Sequence, residues 1–157
     1  MLRHICAALF LSLFAQSAAA SNACSLPPDA SQQAQAVLSG VNANRQANGL
    51  RPLAYNPVLG RAAMTHACDM AMNGLTGHAG SDGSNSQGRV RAVGYRDCTV
   101  AENVAWGFPS GAQVASLWMG SAGHRSNMLH PRVTEMGVGV TNGAKGPNWV
   151  LVVARSC

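Results

Sequence analysis

The chain has 157 residues, 47% of them hydrophobic and 11% charged, with eleven Lys or Arg against six Asp or Glu and a formal net charge of +5. That balance excludes a disordered tail, and the length excludes more than one ordinary domain with a core of its own. The arginines are scattered singly from Arg45 to Arg155, which argues against a nucleic-acid binder and leaves an anionic envelope polymer or lipid headgroup as the partner that a basic surface suits.

Met1 to His4 is a short basic start, Ile5 to Phe14 an apolar run, and Ala18 to Ala20 a stretch of small residues. Residues 1–20 therefore read as a cleaved signal peptide, and the mature chain is expected in the periplasm or outside the cell. The apolar run falls short of the roughly 20 residues a spanning helix needs, and no later segment approaches that length, so no transmembrane segment is expected. Cys24 follows Asn22 and Ala23, as in a lipid-anchor motif, but Ser21 stands where that motif wants a bulky aliphatic, and lipidation is not expected. Cleavage removes Cys6 and leaves Cys24, Cys68, Cys98 and Cys157, an even set in an exported chain. Two disulfides follow. Three connectivities are open; the favoured one pairs Cys68 with Cys98 and Cys24 with Cys157, which ties both termini to the domain. No C-x-x-C spacing supports a cysteine metal site.

Residues 21–33 form a polar, proline-containing lead-in to a domain over 34–157. Ser31 is placed to cap a first helix whose apolar side carries Ala34, Val37, Leu38 and Val41, and which stops near Gly49. Pro57 opens a second helix with Leu59, Ala62, Ala63, His66, Ala67 and Met70 on one side, ending at Gly74. Gly77 to Gly94 is rich in Gly, Ser, Asp and Asn and reads as a long loop with one helical turn around Gln87 to Val93. Thr99 to Ala105 is β-capable. Gly111 to Gly120 has a helical face of Val114, Leu117 and Trp118, and Gly123 to Leu129 suits a short helix. Met136 to Val140 and Trp149 to Val153 read as two strands. With the Glu102 segment they make a small antiparallel sheet, and the class is α+β.

His78, Glu102 and His124 are the candidate site. Imidazole nitrogen and carboxylate oxygen are ordinary zinc ligands, and two His with one Glu leave a fourth position for water or substrate. The 23 and 21 residues between them do not by themselves bring the three together, and the compact H-E-x-x-H arrangement is absent. His66, on the apolar side of its helix, reads as a packed, hydrogen-bonded histidine. Glu135 reads as a surface or hydrogen-bonding residue, and His130, before Pro131, as an exposed turn residue. Asn103, Arg125 and Asn127 are placed to fix the His124 imidazole from behind. Gly80 to Ser84 lacks the lysine and the preceding strand of a phosphate cradle.

Glu102-Asn103-Val104-Ala105-Trp106, Gly123-His124 and Met136-Gly137-Val138-Gly139 together resemble the CAP superfamily of cysteine-rich secretory proteins, antigen 5 and pathogenesis-related proteins. The phrase from Trp118 to Leu129, with Ser121, Gly123, His124, Arg125, Asn127 and Met128, is similar to the bacterial extracellular branch. Gly77-His78, Asp82-Gly83, Arg89 and Gly94-Tyr95 fall in the expected order, and the resemblance runs from about Ala34 to Ala154. It implies an α-β-α sandwich with a central antiparallel sheet and a large cleft, where two His and two acidic residues hold a divalent cation, often zinc. By motif these positions fall on His78, His124 and Glu102, but Ser121 stands at the second acid's place, three residues after Trp118. That departure implies weak, exchangeable cation binding, with the Ser121 hydroxyl or a water filling the gap, and no organic cofactor.

Three functional readings follow. The favoured one is a monomeric, non-enzymatic binding module whose cleft of His78, Glu102, His124 and Ser121 takes a lipid, glycan or peptide. The second is a metal-assisted, peptidase-like hydrolase with Glu102, His78 and His124 as its catalytic groups. The third is a structural or interaction domain in which the cluster serves folding without metal.

Overall fold

The computed structural model describes residues 24–157; the signal peptide expected over residues 1–20 lies outside them. Nine elements follow in chain order: α1 Ala30–Ala47, β1 Ala54–Tyr55, α2 Pro57–Asn73, α3 Ser86–Ala92, β2 Asp97–Trp106, α4 Gly111–Gly120, α5 Ala122–Met128, β3 Glu135–Thr141 and β4 Asn148–Ser156. The strands lie in the order β1-β3-β4-β2, antiparallel except for β1, which runs parallel to β3.

Alternation along β4 explains the layers. Side chains of a strand point to opposite faces in turn. Trp149, Leu151 and Val153 pack with Val37 and Val41 of α1 and Val114 and Trp118 of α4, whereas Val150, Val152 and Ala154 pack with Leu59, Ala63 and Met70 of α2 and Val90 of α3. The result is an α-β-α sandwich with a core on each side of the sheet. Both buried tryptophans keep their indole N–H satisfied, Trp118 on Val104 O at 3.2 Å and Trp149 on Phe108 O at 3.0 Å.

The helix stops follow their local chemistry. Asn56 caps α2 by accepting from Val58 N at 2.8 Å, Pro57 occupies the first turn, and Gly74 ends the helix in the left-handed region at φ 66°. Helix α1 starts earlier than a Ser31 cap requires: Asp29 is the capping position, and Ser31 lies inside the first turn. On α4, Val114, Ala115 and Trp118 are buried but Leu117 is 39% exposed, so it lies off the inner face. Two residues of β1 are too few to show a strand period, and the sheet is mixed rather than purely antiparallel. Among the described residues no helix is long and apolar enough to cross a membrane.

The disulfide pairing differs from the favoured one. Cys24 is bonded to Cys68 and Cys98 to Cys157, rather than Cys68 to Cys98 and Cys24 to Cys157. The ladder supplies the reason: Asp97 of β2 pairs with Ser156 of β4, which sets Cys98 and Cys157 side by side at its end. That leaves Cys68, in the last turns of α2, for the lead-in. The Cys24 sulfur is thereby engaged in the fold.

Candidate functional site

Strand β2 lies at the edge of the sheet opposite β1. Its alternation sends Glu102, with Val100 and Val104, toward α2 and α3, and Asn103, with Ala101 and Ala105, toward the α1 and α4 side. Adjacent residues thus serve opposite faces of one strand. The carbonyls of Glu102 and Val104 accept from Asn127 Nδ2 and Trp118 Nε1, so the free edge is covered by α5 and α4.

Glu102 is 6% exposed, and a carboxylate so buried needs compensation. Arg89 of α3 provides it: Nη2 donates to Oε2 at 2.8 Å and to Oε1 at 3.0 Å. His78 Nδ1 stands 2.9 Å from the same Oε1, so it is the protonated ring nitrogen, and Nε2 turns away from the carboxylate on a side chain that is 57% exposed. The loop that presents His78 is gripped twice more. His66 Nε2, fully buried, donates to Gly77 O at 2.8 Å, and Arg89 Nη2 donates to His78 O at 2.9 Å. His66 Nε2 also comes within 3.9 Å of Glu102 Oε1. Arg89 Nη1 reaches Ser84 O at 3.0 Å, tying the Gly80 to Ser84 turn to the same centre.

On the other face, Asn127 Nδ2 donates to Asn103 Oδ1 at 2.9 Å, and Asn103 Nδ2 donates to His124 O at 3.0 Å. These amides hold the backbone that carries His124. Arg125 does not join them; its Nη1 donates to Met119 O at 3.3 Å from an exposed position. The His124 ring lies 6.5 Å from the Trp118 ring at a 45° tilt, and its Nδ1 is buried without a hydrogen-bond partner among the described residues. Burial, and then the charge of nearby His78, holds the His124 imidazole below its ordinary pKa. Ser121 caps α5 through its carbonyl, which accepts from Arg125 N at 2.8 Å, and is half-buried.

The structure therefore brings His78 and Glu102 into contact and holds the His124 backbone from the other face of β2 through Asn103, with its imidazole close enough to feel the charge of His78. Among the described residues no three of His, Cys, Asp and Glu are grouped as ready cation ligands. As arranged, Glu102 is the hydrogen-bond partner of His78, a role that carboxylates often take behind a ligating imidazole. His66 is the packed, hydrogen-bonded histidine the sequence indicated, whereas Arg89 escaped the sequence reading in this role. The signal for Arg89 was available in principle: a Glu inside an apolar strand demands a buried cation somewhere in the fold. Glu135 is a hydrogen-bonding residue, accepting from Asn56 Nδ2 at 2.7 Å and from Tyr95 Oη. His130 is half-buried, and its Nδ1 accepts from Arg132 N at 3.2 Å.

Known proteins are similar to this chain in sequence, and others in fold. The Bacillus subtilis protein YkwD is 32% identical over 115 residues, 73% of this chain and 45% of YkwD. The membrane protein YlbC of the same organism is 30% identical over 105 residues, 66% of this chain and 30% of YlbC. The chain spans less than half the length of either relative. In three dimensions it is similar to an outer surface protein of Borrelia burgdorferi, with a TM-score of 0.73 at 16% identity, over 80% of this chain and 94% of that one. It is similar also to an extracellular protein with an SCP domain from Bacillus anthracis, with a TM-score of 0.71 at 25% identity, over 83% of this chain and 44% of that one. The sequence model of the cysteine-rich secretory protein family, CAP, matches residues 38–154, and the chain belongs to that family.

Proposed function

We propose that the chain works outside the cytoplasm as a non-enzymatic binding module, taking a lipid, glycan or peptide at the surface between His78 and His124. The observation that carries this reading is the burial and engagement of Glu102: both carboxylate oxygens already accept from Arg89, one accepts from His78, and the side chain is only 2% exposed. A general base needs a free acceptor aimed at substrate. Glu102 instead sets the orientation of His78, whose outward Nε2 suits a ligand. The extracellular setting is supported by the paired cysteines and by the SCP-domain relative that is itself extracellular.

A divalent cation, zinc by the chemistry of imidazole donors, belongs to the same proposal. His78 and His124 would hold it, weakly and exchangeably, and it would polarise an acceptor oxygen on the ligand. Glu102 remains the partner of His78.

The test uses the mature, disulfide-bonded protein on immobilised lipid, glycan and peptide arrays, with mass spectrometry of any small molecule that co-purifies. Retention of one ligand class that His78→Ala with His124→Ala weakens by about tenfold or more is the expected result, as for a lost charge-assisted hydrogen bond. Cleavage of casein or envelope substrates that vanishes in the same variant would overturn the reading in favour of a hydrolase.

A further inference from the structure

Arg45, in the last turn of α1, is 2% exposed and has no carboxylate within ion-pair distance among the described residues. Its Nε donates to Arg51 O at 2.9 Å, and its Nη1 donates to Met128 O at 2.8 Å and His130 O at 3.0 Å. A guanidinium carries five N–H donors. The two on Nη2 have no acceptor among the described residues, and Nη2 is absent from the unpartnered atoms sealed from solvent. Carbonyls near the C-terminal ends of helices offset part of a buried positive charge, but they do not neutralise it.

The surroundings add positive charge. A cavity opens beside Arg45, lined by Leu50, Arg51, Pro131, Val133 and Thr134. Beside Pro131, burial and then the charges of Arg132 and Arg45 hold the His130 imidazole below its ordinary value. Burial pushes the Arg45 guanidinium below its ordinary pKa.

We propose that this cavity is a binding site for a phosphate group, gripped by Arg45 Nη2 and by the exposed Arg51 in its lining, with the exposed Arg132 between the lining residues Pro131 and Val133 within reach. A phosphate brings up to two negative charges and several acceptor oxygens, which matches one planar donor pair inside and the exposed arginines beside it. Free phosphate, a phospholipid headgroup and a phosphate-bearing envelope polymer share that chemistry. The site shares no residue with the His78 and His124 surface and does not rest on the function proposed there.

The test titrates the ¹⁵N-labelled mature protein with sodium phosphate against sodium chloride of equal ionic strength. Saturable shifts are expected at the backbone amides of Leu50, Arg51, Val133 and Thr134. Arg51→Gln with Arg132→Gln leaves the three carbonyl contacts of Arg45 in place and is expected to weaken phosphate binding about tenfold or more, as loss of charge-assisted hydrogen bonds does. Arg45→Met is expected to abolish it; if that variant fails to fold, the double variant decides. Absence of saturable shifts with phosphate, or shifts that the double variant leaves unchanged, overturns the proposal, as does loss of phosphate binding in His78→Ala. Vesicles identify the source: sedimentation with phosphatidylglycerol but not phosphatidylcholine, competed by phosphate, supports a lipid headgroup, and phosphate binding without sedimentation supports a soluble or polymer-borne phosphate.

Discussion

At Glu102 a single carboxylate is held by two partners of unequal weight. His78 sits on an exposed loop, whereas the Arg89 side chain is only 6% exposed, so Arg89 is the group that makes burial of the carboxylate tolerable. Breaking a buried pair by removing one partner leaves an uncompensated charge and costs about 3 to 5 kcal/mol. Arg89→Met should therefore destabilise the protein by about that amount, and Glu102→Gln by somewhat less, because the amide oxygen still accepts from Arg89. Combining them should cost less than the sum. Urea unfolding of the four proteins measures the coupling; strictly additive effects would show that the two side chains do not form an energetic unit. In the sequence, Glu102 stands out because a carboxylate is rare in an apolar run, and His78 and His124 stand out through their motifs. Which of the scattered arginines meets Glu102 was not legible, since Arg89 reaches it across thirteen residues of chain through the packing of α3 on β2.

At Gly137 and Gly139 strand β3 meets α2 by backbone rather than by side chains. A Cβ added at Gly137 would lie 2.2 Å from Gly60 N and 2.3 Å from Leu59 C, and one at Gly139 would lie 2.6 Å from Ala63 C. Neither obstacle is a flexible side chain, so α2 itself would have to move. Thr141 continues the same face, donating from Oγ1 to Ala67 O at 3.0 Å. Gly137→Ala should accordingly destabilise by about 3 kcal/mol, the upper end for overpacking a core. Gly120→Ala, at the end of α4 with nothing near the added methyl, should leave stability unchanged or raise it slightly. Thermal unfolding of the two variants checks the pair, and a tolerated Gly137→Ala would mean that α2 is not seated directly on β3. Helix periods made α1, α2 and α4 readable from the sequence because each buries one continuous stripe. The Gly-Val alternation of β3 showed a strand but not which face lacks side chains, and β1 left no pattern to read because pairing with β3, not its own two residues, defines it.

The two disulfides act on the molecule in different places. Cys24–Cys68 closes 44 residues and fastens the lead-in to α2, while Cys98–Cys157 closes 59 residues and fastens the last residue to the start of β2, where Cys157 N also donates to Arg96 O at 2.9 Å. On chain entropy alone, loops of these lengths are worth about 4 kcal/mol each, and measured values more often fall between about 2 and 4. Their structural reach is not equal. Edge strand β2 holds Glu102 and Asn103 four and five residues from Cys98, and among the described residues only β4 pairs with it. Cys98→Ser with Cys157→Ser should therefore lower global stability by about 2 to 4 kcal/mol and also speed amide exchange along β2, loosening the strand that positions His78 and His124. Cys24→Ser with Cys68→Ser should cost a similar amount globally while leaving β2 exchange at the level set by global unfolding. Peptide mapping without reductant should recover Cys98 joined to Cys157. If instead the Cys24 and Cys68 variant is the one that loosens β2, the edge strand is held from the lead-in and α2 rather than from the chain's last residue.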